Sequence, residues 1–143
     1  MNLTLKRRCF SILRPRRREG TCAWAMRSAW LPSDTNAEPG KYDLSKTPWV
    51  KEILDVLDDP WVELVAFQSC RQVAKTTVGL LWCGASVEND PAPFIVVHAD
   101  SKAVGHFSKE RFQPFVEGCP TLKEKKTSVE DDWTVSDMHF ADA

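Results

Sequence analysis

The stretch Ser69-Cys70-Arg71-Gln72-Val73-Ala74-Lys75-Thr76-Thr77 limits what the chain can fold into more than any other. An apolar, β-prone run, Val62 to Phe67, precedes it, and an apolar-periodic segment, Val78 to Val87, follows it. Strand, short loop, helix is the order in which a Lys-Thr pair serves as a phosphate cradle. Backbone N–H groups surround the phosphates, the lysine reaches the β and γ oxygens, and the next hydroxyl meets Mg²⁺. The usual spelling is G-x-x-x-x-G-K-[ST]. Here Ser69 stands at the first glycine and Ala74 at the second, with Lys75 and Thr76 in register. On pattern alone the match is degraded, and an ordinary loop ending in a helix is the competing reading.

The flanking segments favour the phosphate reading. Thr47-Pro48 is a helix start, a hydroxyl N-cap with proline at the first helical position. Val50, Ile53, Leu54 and Leu57 then form a one-sided apolar face, and Asp58-Asp59-Pro60 stops it. Val78, Leu81, Trp82 and Ala85 form a second helical stripe, in which Gly79 and Gly84 suit close helix–strand packing. After the break at Asn89–Pro93, Phe94-Ile95-Val96-Val97 reads as a second buried strand. Asp100-Ser101 caps a third helix, Lys102 to Val116, buried through Phe107, Phe112, Phe115 and Val116. Helices alternating with apolar strands predict βαβ units and a parallel sheet with flanking helices. The fold class expected is therefore α/β, a partial P-loop NTPase with an incomplete βαβ core. In such sheets ligands bind beyond the carboxyl ends of the strands. Ser69–Lys75 occupies one such end and His98-Ala99-Asp100 the next.

The rest of the chain divides by composition. Residues 1–20 hold seven of the 19 Lys+Arg and one acid, while residues 21–143 carry a net charge of −7. The first part reads as a basic flexible arm of the kind that meets nucleic acid or stays solvated. Residues 21–47 read as a short helix, Ala23 to Ala29, then a surface-running loop rich in Pro, Ser, Asp and Gly. Trp24 and Trp30 read as packing residues. Residues 48–143 form the partial ATPase domain. Within it, residues 121–143 are charged, with a short strand at Trp133-Thr134-Val135. The length fits one domain, and 43% apolar residues suffice for a core. Five widely spaced cysteines without a C-x-x-C pair predict neither a disulfide framework nor a zinc site. A reduced, intracellular chain is expected, with no membrane span and no secretory signal.

Taken together, several short motifs resemble one family. They are Ala37-Glu38-Pro39-Gly40-Lys41-Tyr42, Thr47-Pro48-Trp49 with Glu52-Ile53, Asp59-Pro60, Gln72-Val73-x-Lys75-Thr76, and Ser108-Lys109-Glu110-Arg111 with Pro114. In this order and spacing they resemble the large terminase subunit of lambda-like tailed phages (the GpA-like family), over residues 23–126. The resemblance implies the N-terminal ATP-binding portion of a motor that drives viral DNA into capsids. Its cofactors would be ATP and Mg²⁺. Its partners would be double-stranded viral DNA, a small terminase subunit and the capsid portal, with possible homo-oligomers, in the bacterial host cytoplasm.

Carried onto this chain, the resemblance makes Ser69, Cys70, Arg71, Gln72, Val73, Ala74, Lys75 and Thr76 the ATP loop. Lys75 would hold the β/γ-phosphates, Thr76 the Mg²⁺, Arg71 would sense the γ-phosphate, and Trp49 would lie by the adenine. His98, Asp100 and Lys109 read as structural or surface residues. Three departures bear on activity, one being that the nuclease carboxylates the resemblance would imply are absent. Ala74 puts a Cβ where backbone approaches phosphate. No apolar strand ending in Asp-Glu follows; neither Glu130-Asp131-Asp132 nor Asp142 has a buried strand before it. The expectation is thus weak nucleotide binding, no catalytic residues and no efficient hydrolysis by this chain, read as a truncated gene or fragment. The alternatives are a non-enzymatic prophage remnant with a nucleic-acid-binding arm, or part of another P-loop DNA translocase or helicase.

Overall fold

The computed structural model describes residues 19–33, 36, 38–127 and 133–141. The basic arm, Glu130-Asp131-Asp132 and Asp142 lie outside these residues, apart from Glu19 and Gly20. The elements in order are α1 (Thr21–Ser28), β1 (Trp30–Leu31), β2 (Gly40–Lys41), a 3₁₀ turn (Leu44–Lys46), α2 (Val50–Leu57) and α3 (Lys75–Asn89). There follow α4 (Ser101–Phe107), a π turn (Ser108–Phe112), α5 (Gln113–Gly118) and α6 (Pro120–Lys125).

The 15-residue α3 is the centre. Its residues Val78, Leu80, Leu81, Cys83, Ala85 and Val87 are all buried, and α1, α2 and α6 pack on it. The largest fully buried side chain is Trp24 of α1. Its ring meets Phe115 of α5 edge-on, with centroids 6.4 Å apart. The contact depends on Gly84: a Cβ there would lie 2.4 Å from Trp24 Cη2 and 3.1 Å from Phe115 Cε1. Gly84 therefore serves the packing of a tryptophan, not of a strand as the sequence predicted. A Cβ added to Gly79 would meet nothing within 4 Å, so packing does not require glycine there.

Polar contacts fix the same layer. Trp24 Nε1 donates to Glu88 Oε2 at 2.6 Å, and Arg27 Nη2 donates to Glu88 Oε1 at 2.8 Å. Arg27 also pairs with Glu19. Burial pushes the Glu88 carboxyl up, but the hydrogen bonds from Arg27 and Trp24 outweigh it and hold it below the usual range. Thr21 donates through its N–H and its hydroxyl to the two Asp58 oxygens, at 2.5 Å each. Asp58, read from sequence as a helix stop, thus also caps α1. Lys125 of α6 donates to the Val87 carbonyl at 3.0 Å, satisfying the end of α3.

Three other readings change. The helix expected from Thr47-Pro48 begins at Val50, because Thr47 Oγ1 bonds the Tyr42 hydroxyl at 3.0 Å instead of capping. The surface loop at 32–47 contains half of an antiparallel two-stranded sheet, Trp30↔Lys41 and Leu31↔Gly40. That is the sheet formed by the described residues; a parallel one is not formed. Val62–Phe67 and Phe94–Val97 run without regular pairing, and Leu64, Ile95 and Val97 are more than 80% exposed. A strand is stable only with partners to complete its ladder, and neither segment has one among the described residues. Trp133–Val135 gives only an isolated bridge, Trp133↔Met138.

Two outcomes are expected in melting experiments. Gly84→Ala lowers stability by about 1–3 kcal/mol through overpacking against Trp24, whereas Gly79→Ala raises it by up to ~1 kcal/mol through helix propensity. Because the folded Glu88 carboxyl lies below its ordinary 4.5, its contribution is complete above that pH and is lost as pH falls through the folded value. Glu88→Gln is accordingly less stable at neutral pH and loses less on acidification, readable as a flatter acid limb of Tm against pH.

Candidate functional site

The loop before α3 takes an unusual backbone course. Gln72 (φ 61°) and Ala74 (φ 58°, ψ 19°) are left-handed, with Val73 between them. Left-handed residues interleaved with ordinary ones turn successive N–H groups to one side, the anion-binding nest. Among the described non-glycine residues these two are the ones with positive φ. An alanine in this region costs about 1–2 kcal/mol that a glycine avoids. Ala74 thus holds a conformation that glycine would adopt without that strain.

The start of α3 is open. The first helical bond runs from Val78 N–H to the Ala74 carbonyl at 2.8 Å, and no side chain caps the helix. The N–H groups ahead of Val78 have no carbonyl within the helix to meet, and the helix dipole adds positive character there. Lys75 Nζ donates to the Ser69 carbonyl at 3.2 Å, closing the loop on itself. Cys70, Arg71, Gln72, Lys75 and Thr76 are exposed; Ser69, Val73 and Ala74 are half-buried. Open N–H groups, a left-handed turn and a lysine over the loop suit a polyphosphate.

The sequence has a family counterpart. The family model of the phage terminase large subunit gpA ATPase domain matches residues 36–143. The chain belongs to that family. Membership carries nucleotide binding as a general property, and DNA and packaging components as the family's partners in general. No curated protein and no solved structure matches the chain. Among the described residues no helix is long and apolar enough to cross a membrane.

A cleft of about 530 Å³ lies beside Thr76. The two junctions picked out in the sequence meet here, since His98 and Asp100 line the same cleft. Asp100 Oδ1 accepts from Ala103 N–H at 2.7 Å, the cap expected for the third helix. His98 is half-buried and lies on Phe107, with ring centroids 4.8 Å apart. Trp49 is half-exposed just before α2, with no hydrogen bond or ring contact to the loop among the described residues. Lys109 is exposed and outside the cleft.

Sequence reasoning missed Lys102, His106 and Arg111, which complete the cleft wall. Lys102 and His106 are four residues apart and share a helix face. Arg111 is nine residues from Lys102, on the opposite side of a regular helix with 3.6 residues per turn. The π turn at Ser108–Phe112 holds more residues per turn and swings Arg111 toward the cleft. No residue periodicity announces such a turn.

Ala74→Gly is expected to relieve the left-handed strain, stabilising the protein by about 1 kcal/mol and tightening nucleotide binding. Melting curves with and without nucleotide check both effects. Cys70 is the exposed one among the described free cysteines, while burial pushes Cys119 up to about 11 and Cys83 up to about 12. Alkylation followed by peptide mapping should modify Cys70 well before Cys83 or Cys119, and nucleotide should slow that modification.

Proposed function

We propose that this chain is the nucleotide-holding part of a DNA-packaging motor and that Ser69–Thr76 is its ATP loop. The observation that carries the reading is the paired left-handed geometry at Gln72 and Ala74, ahead of an uncapped 15-residue helix. In this reading the N–H groups of the loop and of the first turn of α3 hold the phosphates. Lys75 leaves the Ser69 carbonyl to meet the β and γ oxygens, and the Thr76 hydroxyl takes the nucleotide's Mg²⁺. Arg71, exposed on the loop, supplies a cation to the γ-phosphate, and Trp49 lies by the adenine. Bound metal and nucleotide would supply the electrophilic phosphorus and its charge neutralisation; the chain's part is to bind and orient them.

In the same reading residues 48–143 form the ATPase portion, preceded by the helix and loop of 21–47 and the basic arm of 1–20. Val62–Phe67 and Phe94–Val97 are strands of a parallel sheet whose other strands the described residues do not supply. Two features support this. The segments expose Leu64, Ile95 and Val97, as sheet strands without neighbours do. Beside Phe94–Val96 lies an unfilled cavity of about 670 Å³ bounded by Phe107, Phe112 and Phe140. The partners are double-stranded viral DNA, a small terminase subunit and the portal, met in the host cytoplasm.

Hydrolysis needs an acid that holds the metal and another that activates water. Among the described residues Asp100 is the carboxylate lining the cleft beside Thr76, and it caps α4. The purified chain is therefore expected to bind ATP–Mg²⁺ with little turnover. At 100 times Kd, ATP should add about 2.7 kcal/mol of stability, a gain that Lys75→Ala removes. A melting temperature unmoved by ATP–Mg²⁺ in the unaltered chain would refute the nucleotide reading. Turnover that Lys75→Ala abolishes would refute the prediction of inactivity.

A further inference from the structure

We infer that the cavity beside Phe94–Val96 is the docking site of this chain's own segment Cys9-Phe10-Ser11-Ile12-Leu13. The cavity measures about 670 Å³, and its wall is apolar through Phe94, Val96, Phe107, Phe112, Met138 and Phe140. Covering such a wall removes apolar surface from water. The lining also makes a polar demand. Ser108 Oγ and His98 Nε2, on two of its residues, are buried with no hydrogen-bond partner among the described residues. Buried polar groups are paired in nearly all folded proteins, so the occupant must bring polar groups as well as apolar ones. An extended peptide does so, because each residue carries a backbone N–H and C=O beside its side chain. The same groups would serve Phe94–Val97, which has no ladder partner among the described residues.

Three observations select Cys9–Leu13 as that peptide. First, in an extended chain Phe10 and Ile12 point to one face, which gives the segment an apolar side of its own. Second, it is tethered close by. The Glu19 carbonyl accepts from Asn89 Nδ2 at 3.0 Å, and Asn89 stands in sequence between Val87 and Pro91, both of which line the cavity. Leu13 is six residues before Glu19, a reach of about 20 Å when extended. Third, the charges are complementary. Lys6-Arg7-Arg8 precedes the segment and Arg14 with Arg16-Arg17-Arg18 follows it. Residues 127–143 hold five acids and no lysine or arginine, and 135–140 of them form one side of the cavity. The docked arm would hold its arginines against the chain's own acids and withhold them from outside polyanions, a hold that salt loosens.

The test uses the full chain with the photo-reactive p-benzoylphenylalanine in place of Phe10. Irradiation is expected to join position 10 to Met138 or to residues 94–96 within a single chain, as read by peptide mapping. The same group in place of Asn2 should give no adduct there. Adducts elsewhere, none at all, or equal yields at the cavity from positions 2 and 10 would overturn the inference. So would cavity adducts confined to a product of twice the chain's mass, since a second copy would then be the occupant. In parallel, Phe10→Asp with Ile12→Asp should lower Tm by about 5 °C and speed tryptic cleavage after Arg14–Arg18 about tenfold. Asn2→Asp with Thr4→Asp changes the charge equally and should leave both unchanged. A Phe10→Asp, Ile12→Asp chain that melts and is cleaved like this control would also overturn the inference.

Discussion

The seating of Trp24 on Gly84 is the contact from which the rest of the architecture follows. A tryptophan with no exposed surface must have its N–H satisfied, and Glu88, one turn beyond Gly84 on the same helix, accepts it. Arg27, one turn on from Trp24, then neutralises Glu88. One face of α1 is thereby locked to the middle and end of α3 by packing, hydrogen bond and charge together. Phe115 closes the other side of the indole and brings α5 into the same layer. The loop before α3 inherits its position from a helix held in this way, so the candidate site depends on a contact centred well along α3 from its open end.

The loop shows a different economy. Its strain lies in backbone torsions, at Gln72 and Ala74, where side chains other than glycine are unfavourable. Such strain persists only where the surroundings hold it, and here α3 is anchored along its buried side while Lys75 reaches back to Ser69. The exposed apolar stretches pose the complementary question. Trp61, Leu64, Ile95 and Val97 are each more than 80% exposed, an arrangement that soluble surfaces avoid in contiguous patches. These segments leave apolar surface open to a packing partner.

Much of the local structure was legible. The helices over Val50–Leu57, Lys75–Asn89 and Ser101–Gly118 follow from apolar periodicity, and the Asp100 cap from its residue type and place. Trp24 was legible as a packing residue, but its partner was not, because Gly84 is far away in sequence and glycine carries no pattern of its own. Thr47 was misread for a related reason: its hydroxyl had two possible partners, the local N–H groups and the Tyr42 hydroxyl, and only tertiary contact chose the second. The short β1–β2 pairing was hidden within a turn-rich stretch, since two-residue strands are too short to show alternation. Arg111 and Lys102 share a wall only through a change of helical pitch.

By itself, then, the sequence determined which segments are helical, which residues are apolar enough to be buried, and that a Lys-Thr pair follows an apolar run and opens a helix. These are short-range properties, set by torsional preference and by the spacing of side chains along a few turns. The tertiary structure alone decided that Ala74 is left-handed, that packing calls for glycine at 84 rather than 79, and that Thr76 and Arg111 border one cleft. Each of these depends on atoms brought together from distant parts of the chain, where steric exclusion and hydrogen-bond satisfaction select among conformations that the local sequence leaves equally open.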